Sequence, residues 1–170
     1  NWDWGVIIRE PYLEWIISGF GWTVSVSIAA WLLAFSLGSI IGIFRTTNNS
    51  ILRAIAAVYV EIFRNIPLIV QMFLWYFVFP ELLPNEAGMW VKREMPMPEF
   101  TTAALCLGLY TASRVAEQVR SGIQSIGQGQ NNAGLATGLT KFQVYRYILL
   151  PVGYRIMIPP LTSEFLTIFK

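Results

Sequence analysis

Residues 129–151 read GQNNAGLATGLTKFQVYRYILLP and lie between two strongly apolar segments of the chain. The stretch is polar and glycine-rich at its start, basic and aromatic in its middle, and apolar over its last residues, 148–151. Connections between packed helices usually need only about two to eight residues. A connector of this length and pattern therefore indicates a surface that binds a partner.

The composition places the chain in a membrane. Of its 170 residues, 55% are hydrophobic and 13% are charged, whereas charged residues make up about a quarter of a soluble domain. This length predicts one compact unit, residues 1–170. The net charge of +2 is too small to indicate a nucleic-acid partner. We therefore expect an all-α membrane protein, a bundle of transmembrane helices in contact with lipid.

Several kinds of catalytic and metal chemistry are excluded by the residues that the sequence lacks. It contains no histidine and a single cysteine, Cys106, so no disulfide framework, Cys/His metal site or histidine-based triad can form. It also lacks the glycine-rich loop ending in Lys-Ser/Thr that cradles nucleotide phosphates. The chain is therefore expected neither to hydrolyse ATP nor to carry a cofactor or metal of its own.

Hydropathy predicts four membrane spans. A helix needs about 20 apolar residues to cross the hydrocarbon core of a bilayer. Segments that meet this need lie at about 15–44, 54–79, 100–120 and 151–170. The last segment is still apolar at Lys170, so we expect a fifth span beyond that residue. In the first span, Gly38 and Gly42 predict close packing against another helix.

The distribution of charge predicts the orientation of these spans, because Lys and Arg are retained on the cytoplasmic side. Segments 45–53 and 120–146 contain basic residues and no acidic ones, whereas the N-terminal segment (with Asp3) and segment 80–99 contain several acids. The N-terminus is therefore expected outside, the loop 121–150 in the cytoplasm, and 80–99 as a periplasmic loop with a short interfacial helix near Trp90.

The loop 121–150 is predicted to contain two short helices. Asn131 or Asn132 is a candidate N-cap for a helix over 133–137, which Gly138 would end. Thr140 is the candidate cap of a second helix over 141–150, whose apolar residues form one stripe. The second helix suits the bilayer surface, and the small residues of the first suit a cleft on another protein. The residues alone leave both interpretations open.

The pattern of this loop resembles that of permease subunits of binding-protein-dependent ABC importers. The family pattern is Glu-Ala-Ala, three residues, Gly, about nine residues, and Ile-x-Leu-Pro; here Asn132 and Gly134 depart from it. The resemblance implies a coupling helix that docks in a groove of an ATP-hydrolysing subunit. The matching positions are the predicted docking residues: Asn132, Ala133, Gly134, Gly138, Leu150 and Pro151.

A narrower resemblance covers nearly the whole chain. YVEIFRNIPLIVQ (59–71) and AEQVRSGIQ (116–124) resemble signatures of the polar amino-acid subfamily, and SRVAEQVR (113–120) is most similar to glutamate/aspartate permeases. This implies an amino-acid importer of the bacterial inner membrane with a second permease subunit, identical or related. It also implies a solute-binding protein outside and partner subunits that bind ATP and Mg²⁺. The alternative is a secondary transporter driven by an ion gradient, although no inverted repeat is visible.

Ionisable residues within membrane spans usually face a partner or a water-filled path. Glu61 with Arg64, and Glu117 with Arg114 or Arg120, are spaced to pair on one helix face. Arg114 lies about 22 Å into the third span. Its forked donors suit either the side-chain carboxylate of an acidic amino acid or Glu117, and both remain open.

The last span contains Arg155 and Glu164, which are too far apart to pair within one helix and need partners elsewhere. Pro159 and Pro160 predict a kink there, and kinked helices often line a transport route. Pro67 predicts a second kink in the second span. The predicted substrate path consists of Arg114, Glu117, Arg64, Gln71, Ser163 and Glu164.

Overall fold

The computed structural model describes residues 4–126 and 128–169; Asp3 and Lys170, used in the predictions above, lie outside them. The described residues are mainly helical and contain no β-strand, which confirms the predicted all-α fold. The helices are α1 Tyr12–Thr46, α2 Ser50–Asn65, α3 Leu68–Phe73, α4 Phe79–Leu82, α5 Asn85–Arg93, α6 Pro98–Gln124, α7 Gln128–Ala136, α8 Lys141–Val144 and α9 Leu150–Ile168. A 3-10 helix, Trp4–Ile8, precedes them. The π-helical turns Leu74–Val78 and Tyr145–Leu149 join α3 to α4 and α8 to α9.

Helix α1 is the described helix that is long and apolar enough to cross a membrane by itself. Its 35 residues extend over about 52 Å, and it is longer at both ends than the predicted 15–44. Helix α6 likewise extends beyond the predicted 100–120. Its threonines, its glycines and the charged Arg114 and Glu117 lower its mean hydropathy, which is why hydropathy marks it less strongly. Helix α9 continues through Pro159 and Pro160 as one helix.

The predicted second span, 54–79, is not one straight helix. Helix α2 ends at Asn65, and the chain bends by 101° before the helical segment that begins at Leu68. Pro67 causes the break, since it has no N–H to donate and forces Ile66 into an extended conformation. The side-chain Nε2 of Gln71 donates to the carbonyl oxygens of Phe63 (2.8 Å) and Ile66 (2.9 Å). Gln71 thereby satisfies carbonyl groups that the break leaves without helical partners.

Segment 80–99 is more helical than the predicted loop. Helix α5 includes Trp90, near which a short helix is predicted, and begins directly after Pro84. Lys92 on α5 forms an ion pair with Glu81 on α4.

Helices α1 and α6 share the most extensive contact among the described helices. A Cβ atom added to Gly42 would lie 2.5 Å from Cβ of Val119 and 2.8 Å from the carbonyl oxygen of Ala116. At Gly38 the corresponding distance to Cβ of Val115 is 2.7 Å. The prediction that these glycines permit close helix packing is therefore confirmed. Val115 and Val119 continue into a buried cluster that α9 completes.

In the loop 121–150, α7 begins at Gln128, five residues before the predicted start. Asn131 and Asn132 therefore lie inside α7, and the prediction that one of them is its N-cap is wrong. Gly138 ends the helix as predicted, with φ at +85°. The N–H of Leu139 donates to the carbonyl of Gly134 (3.3 Å) and that of Gly138 to the carbonyl of Leu135 (3.0 Å), which is the Schellman arrangement.

Thr140 caps α8, as the sequence predicts. Its Oγ1 accepts a hydrogen bond from the N–H of Gln143 (3.3 Å), and its N–H donates to Oε1 of Gln143 (2.8 Å). These reciprocal bonds form a capping box. The predicted helix over 141–150 does not end before the last span. It passes through a π-helical turn directly into α9, so motion of this segment is linked to α9.

Candidate functional site

A polar cavity of about 350 Å³ lies between α2, α6 and α9. Its lining residues are Arg64, Tyr110, Arg114, Glu117, Gln118 and Glu164. Four of the six residues predicted for the substrate path are thus brought together. Ser163 and Gln71 are not among the lining residues: Ser163 is exposed on α9, and Gln71 is buried against the end of α2. Sequence reasoning missed Tyr110 and Gln118, which no charge or motif distinguishes.

Arg114 and Glu164 form an ion pair across the cavity wall. Nη2 of Arg114 donates to Oε1 of Glu164 at 2.8 Å, and the pair joins α6 to α9. Glu164 is only 8% exposed, whereas the Arg114 side chain is 39% exposed. The structure therefore pairs Arg114 with Glu164 and not with Glu117, the partner considered from spacing. It also supplies the distant partner that Glu164 was predicted to need.

Glu117 is the centre of a cluster of three guanidinium groups. Arg45 of α1 contacts its Oε2, Nε of Arg120 donates to its Oε1 at 2.9 Å, and Arg64 of α2 lies 3.9 Å away. The predicted pair of Glu117 and Arg120 is confirmed. We call Glu117, Arg45, Arg64 and Arg120 the Glu117 cluster.

The predicted pair of Glu61 and Arg64 is absent from the ion pairs of the described residues. Arg64 reaches across to Glu117 instead, and Glu61 accepts a hydrogen bond from Nδ2 of Asn65 (3.1 Å). Spacing along one helix cannot anticipate this choice, because it depends on a second helix. Arg45, which marks only a span end in the sequence, becomes part of the cluster for the same reason.

The cavity and its surroundings carry an excess of positive charge. The Glu117 cluster and the Arg114–Glu164 pair together contain four guanidinium groups and two carboxylates. Charge of one sign in a cleft with low-dielectric walls attracts ions of the opposite sign. The lining itself holds two guanidinium groups and two carboxylates, and the excess comes from Arg45 and Arg120 next to Glu117, so it is the surroundings of the cavity that favour a small anion.

The residues predicted to dock on a partner are divided between the surface and the interior. Asn132, Ala133, Gly138 and Pro151 are exposed. Gly134 is buried, because a Cβ atom there would lie 2.7 Å from Cδ1 of Ile148. The small size of Gly134 thus permits a close contact with another part of the same chain. Leu150 is half-buried against the central cluster. Asn132 and Ala133 therefore lie on the exposed surface of α7.

The comparisons with known proteins agree with this architecture. A family model described as the inner membrane component of binding-protein-dependent transport systems matches residues 34–170. The chain belongs to this permease family. Membership shows an inner-membrane transport component and gives no support to the secondary-transporter alternative.

Two curated relatives and two solved structures are similar to this permease. It is 51% identical to the glutamate/aspartate import permease protein GltJ of Escherichia coli strain K12, an alignment that covers 100% of this chain and 72% of GltJ. Its identity to GltK of E. coli O6:H1, also named a glutamate/aspartate import permease protein, is 29%, covering 99% of this chain and 73% of GltK. A crystal structure of an amino acid ABC transporter with histidines superposes with a TM-score of 0.79 at 26% identity, covering 99% of this chain and 73% of that one. The inward-facing MetNI methionine ABC transporter shares the fold, with a TM-score of 0.76 at 23% identity. This superposition covers 95% of this chain and 73% of that one.

Removal of the carboxylate at the centre of the Glu117 cluster should destabilise the permease. In Glu117→Gln the three guanidinium groups lose their common negative charge and one of the two acceptor oxygens, and they repel one another. Hydrogen bonds to charged groups contribute about 1.5–3 kcal/mol, so we expect the melting temperature to fall by roughly 5 °C. Thermal unfolding of the purified permease measures this. Glu61→Gln, which changes an exposed carboxylate on α2, is the control, and equal shifts in the two variants would contradict the cluster's role.

Gly138→Ala should loosen the end of α7. A residue with a Cβ atom at positive φ costs about 1–2 kcal/mol, so amide hydrogen exchange at 134–139 should accelerate about fivefold or more. Gly129→Ala is the matched control, because Gly129 has open space around it and alanine favours helix. Unchanged exchange in Gly138→Ala would contradict the proposed helix end.

Proposed function

We propose that this permease forms half of the translocation path of an ATP-driven importer of acidic amino acids, with glutamate and aspartate as substrates. The observation that carries the proposal is the cavity in which Arg114 is partly exposed while its Nη2 is held by the nearly buried Glu164. A guanidinium group has five N–H donors. Those that bind neither Glu164 nor Tyr110 remain to bind a substrate carboxylate through the planar fork.

Two further arguments support acidic substrates. The excess of guanidinium groups around the cavity favours an anion over a neutral or basic amino acid. In addition, GltJ and GltK are both named as glutamate/aspartate import permeases. The chain covers 72% of GltJ and 73% of GltK.

Partner subunits provide the energy in this proposal. ATP and Mg²⁺ are bound and ATP is cleaved by cytoplasmic subunits, on which the exposed face of α7 with Asn132 and Ala133 docks. A second permease subunit completes the path, and a solute-binding protein delivers the amino acid from outside. The chain lies in the bacterial inner membrane with its N-terminus outside, as the basic segments 45–53 and 120–146 favour. Continuity of α8 with α9 gives motion of the docked loop a direct route to Glu164.

Direct binding to the permease complex tests the substrate class separately from the solute-binding protein. Glutamate and glutamine have nearly the same shape and differ in one charge. Calorimetric titration of the complex without its binding protein should give about tenfold or greater preference for glutamate, because a hydrogen bond to a charged group contributes about 1.5–3 kcal/mol. Arginine is the basic control ligand. Equal affinities for glutamate and glutamine would contradict the proposal.

A further inference from the structure

A second cavity, of about 380 Å³, lies outside the proposed substrate path, where the end of α1 meets the start of α8. Its polar residues include Thr47 and Asn48, which follow α1, and Lys141 and Arg146 from the loop 121–150. The function proposed above uses none of these side chains. The cavity therefore requires an explanation of its own.

No carboxylate of residues 4–126 or 128–169 forms an ion pair with the two cations of this cavity. These cations, Lys141 and Arg146, are exposed. This contrasts with the substrate cavity, where Arg114 and the Glu117 cluster are paired with carboxylates. Arg53 adds a third cation nearby, since its Nη1 donates to the carbonyl of Thr47 (3.5 Å). The charge of the cavity thus calls for an anion from outside the chain.

The cavity is also apolar on its other side. Ile43 in the last turns of α1 and Leu150 at the start of α9 line it, together with Phe142, which is 73% exposed. An exposed aromatic ring next to unpaired cations is typical of the membrane interface. Ile43 lies in the last turn of α1, the helix that is long and apolar enough to cross a bilayer, which suits a position of the cavity between the hydrocarbon core and the headgroups.

The cavity is held together by a tertiary hydrogen bond. Tyr145, which also lines it, donates from its hydroxyl group to the carbonyl oxygen of Thr46 at 2.7 Å. This bond joins the segment that carries Lys141 and Arg146 to the end of α1. The backbone that carries the two cations is therefore held next to the end of α1, which supplies part of the apolar wall.

We propose that this cavity binds an anionic phospholipid. Lys141 and Arg146 bind its phosphate group, and Ile43, Phe142 and Leu150 contact the start of an acyl chain. A free phosphate has the charge but makes no use of the apolar wall, and a zwitterionic lipid does not neutralise the cations. Basic pockets of this kind at the cytoplasmic end of membrane helices suit anionic headgroups. In the orientation proposed above, the lipid comes from the cytoplasmic leaflet.

Native mass spectrometry of the detergent-purified permease complex tests this site without reference to transport. The complex is incubated with equal amounts of phosphatidylglycerol and phosphatidylcholine, and the retained lipids are counted. The variants Lys141→Gln, Arg146→Gln and the double variant are compared with Arg93→Gln, which removes an exposed cation from α5. Each cation near the surface contributes about a fivefold effect on anionic-lipid binding. Retained phosphatidylglycerol should therefore fall about fivefold in each single variant and further in the double variant.

Three results would overturn the proposal. The first is equal retention of phosphatidylglycerol by the wild type and the double variant. The second is an equal loss in Arg93→Gln, which would indicate a general charge effect. The third is displacement of phosphatidylglycerol by millimolar inorganic phosphate, which would assign the site to a free anion. Melting temperatures of the same variants, expected to match the wild type without added lipid, show that the protein remains folded.

Discussion

Replacement of Gly42 by leucine should prevent the permease from packing correctly. The new Cβ atom would lie 2.5 Å from Cβ of Val119 and 2.8 Å from the carbonyl oxygen of Ala116. Neither atom is the mobile end of a side chain, so α1 and α6 must separate along their closest contact. Overpacking of this kind costs about 3 kcal/mol or more. We expect a fall of about 10 °C in melting temperature or a loss of the monodisperse complex in fluorescence-detected size-exclusion chromatography.

Gly21→Leu is the matched control for this variant. Gly21 lies on the same helix, and an added Cβ atom there has no neighbour within 4 Å. The same change of residue should leave the chromatographic profile and melting temperature close to those of the wild type. If Gly42→Leu behaved like Gly21→Leu, the described contact between α1 and α6 would be wrong.

Arg114→Gln should lose most uptake of acidic amino acids. The variant keeps a hydrogen-bonding side chain but loses the charge and the planar fork that we assign to the substrate carboxylate. Loss of a hydrogen bond to a charged group costs about 1.5–3 kcal/mol, so uptake at limiting glutamate should fall about 10–100-fold. The control is Arg155→Gln, which removes an exposed arginine on α9 that does not line the cavity. Initial rates of radiolabelled glutamate uptake by the reconstituted complex measure the effect.

The ion pair with Glu164 allows this effect to be separated from misfolding. In Arg114→Gln the nearly buried Glu164 loses its partner, and an unpaired buried charge is strongly destabilising. The double variant Arg114→Gln/Glu164→Gln replaces the pair by two neutral amides. It should recover the stability that Arg114→Gln loses, while glutamate uptake stays low. Recovery of uptake in the double variant would mean that Arg114 serves only to neutralise Glu164.

The sequence predicts the helical architecture well because its signals are local. A long segment without charged residues predicts α1, and Gly38 and Gly42 predict the face on which it packs. Gly138 predicts the end of one helix and Thr140 the start of the next, because each acts through its own local backbone and side-chain chemistry. Pro67 likewise marks a break, although the 101° bend depends on how the following helix packs. The predicted start of α7 is wrong because Asn131 and Asn132, whose side chains favour N-cap positions, lie within the helix.

The sequence predicts the ion pairs less well, because in a membrane bundle the partner of a charged residue often lies on a different helix. Spacing along α6 correctly gives Glu117 with Arg120. It cannot show that Arg45 of α1 also contacts Glu117, or that Glu164, fifty residues from Arg114 in sequence, is the partner of Arg114. Gly134 is a further example of a contact whose partner the sequence does not reveal. Its small size indicates a close contact but not whether the partner is another protein or, as the structure shows, the same chain.

Uptake of glutamate by proteoliposomes tests the central claim most directly. The complex is reconstituted with its partner permease and ATPase subunits, and the solute-binding protein is added outside. The account predicts uptake that requires both MgATP and the binding protein and that persists when sodium and proton gradients are collapsed by ionophores. Uptake driven by a sodium or proton gradient in the absence of ATP would contradict it.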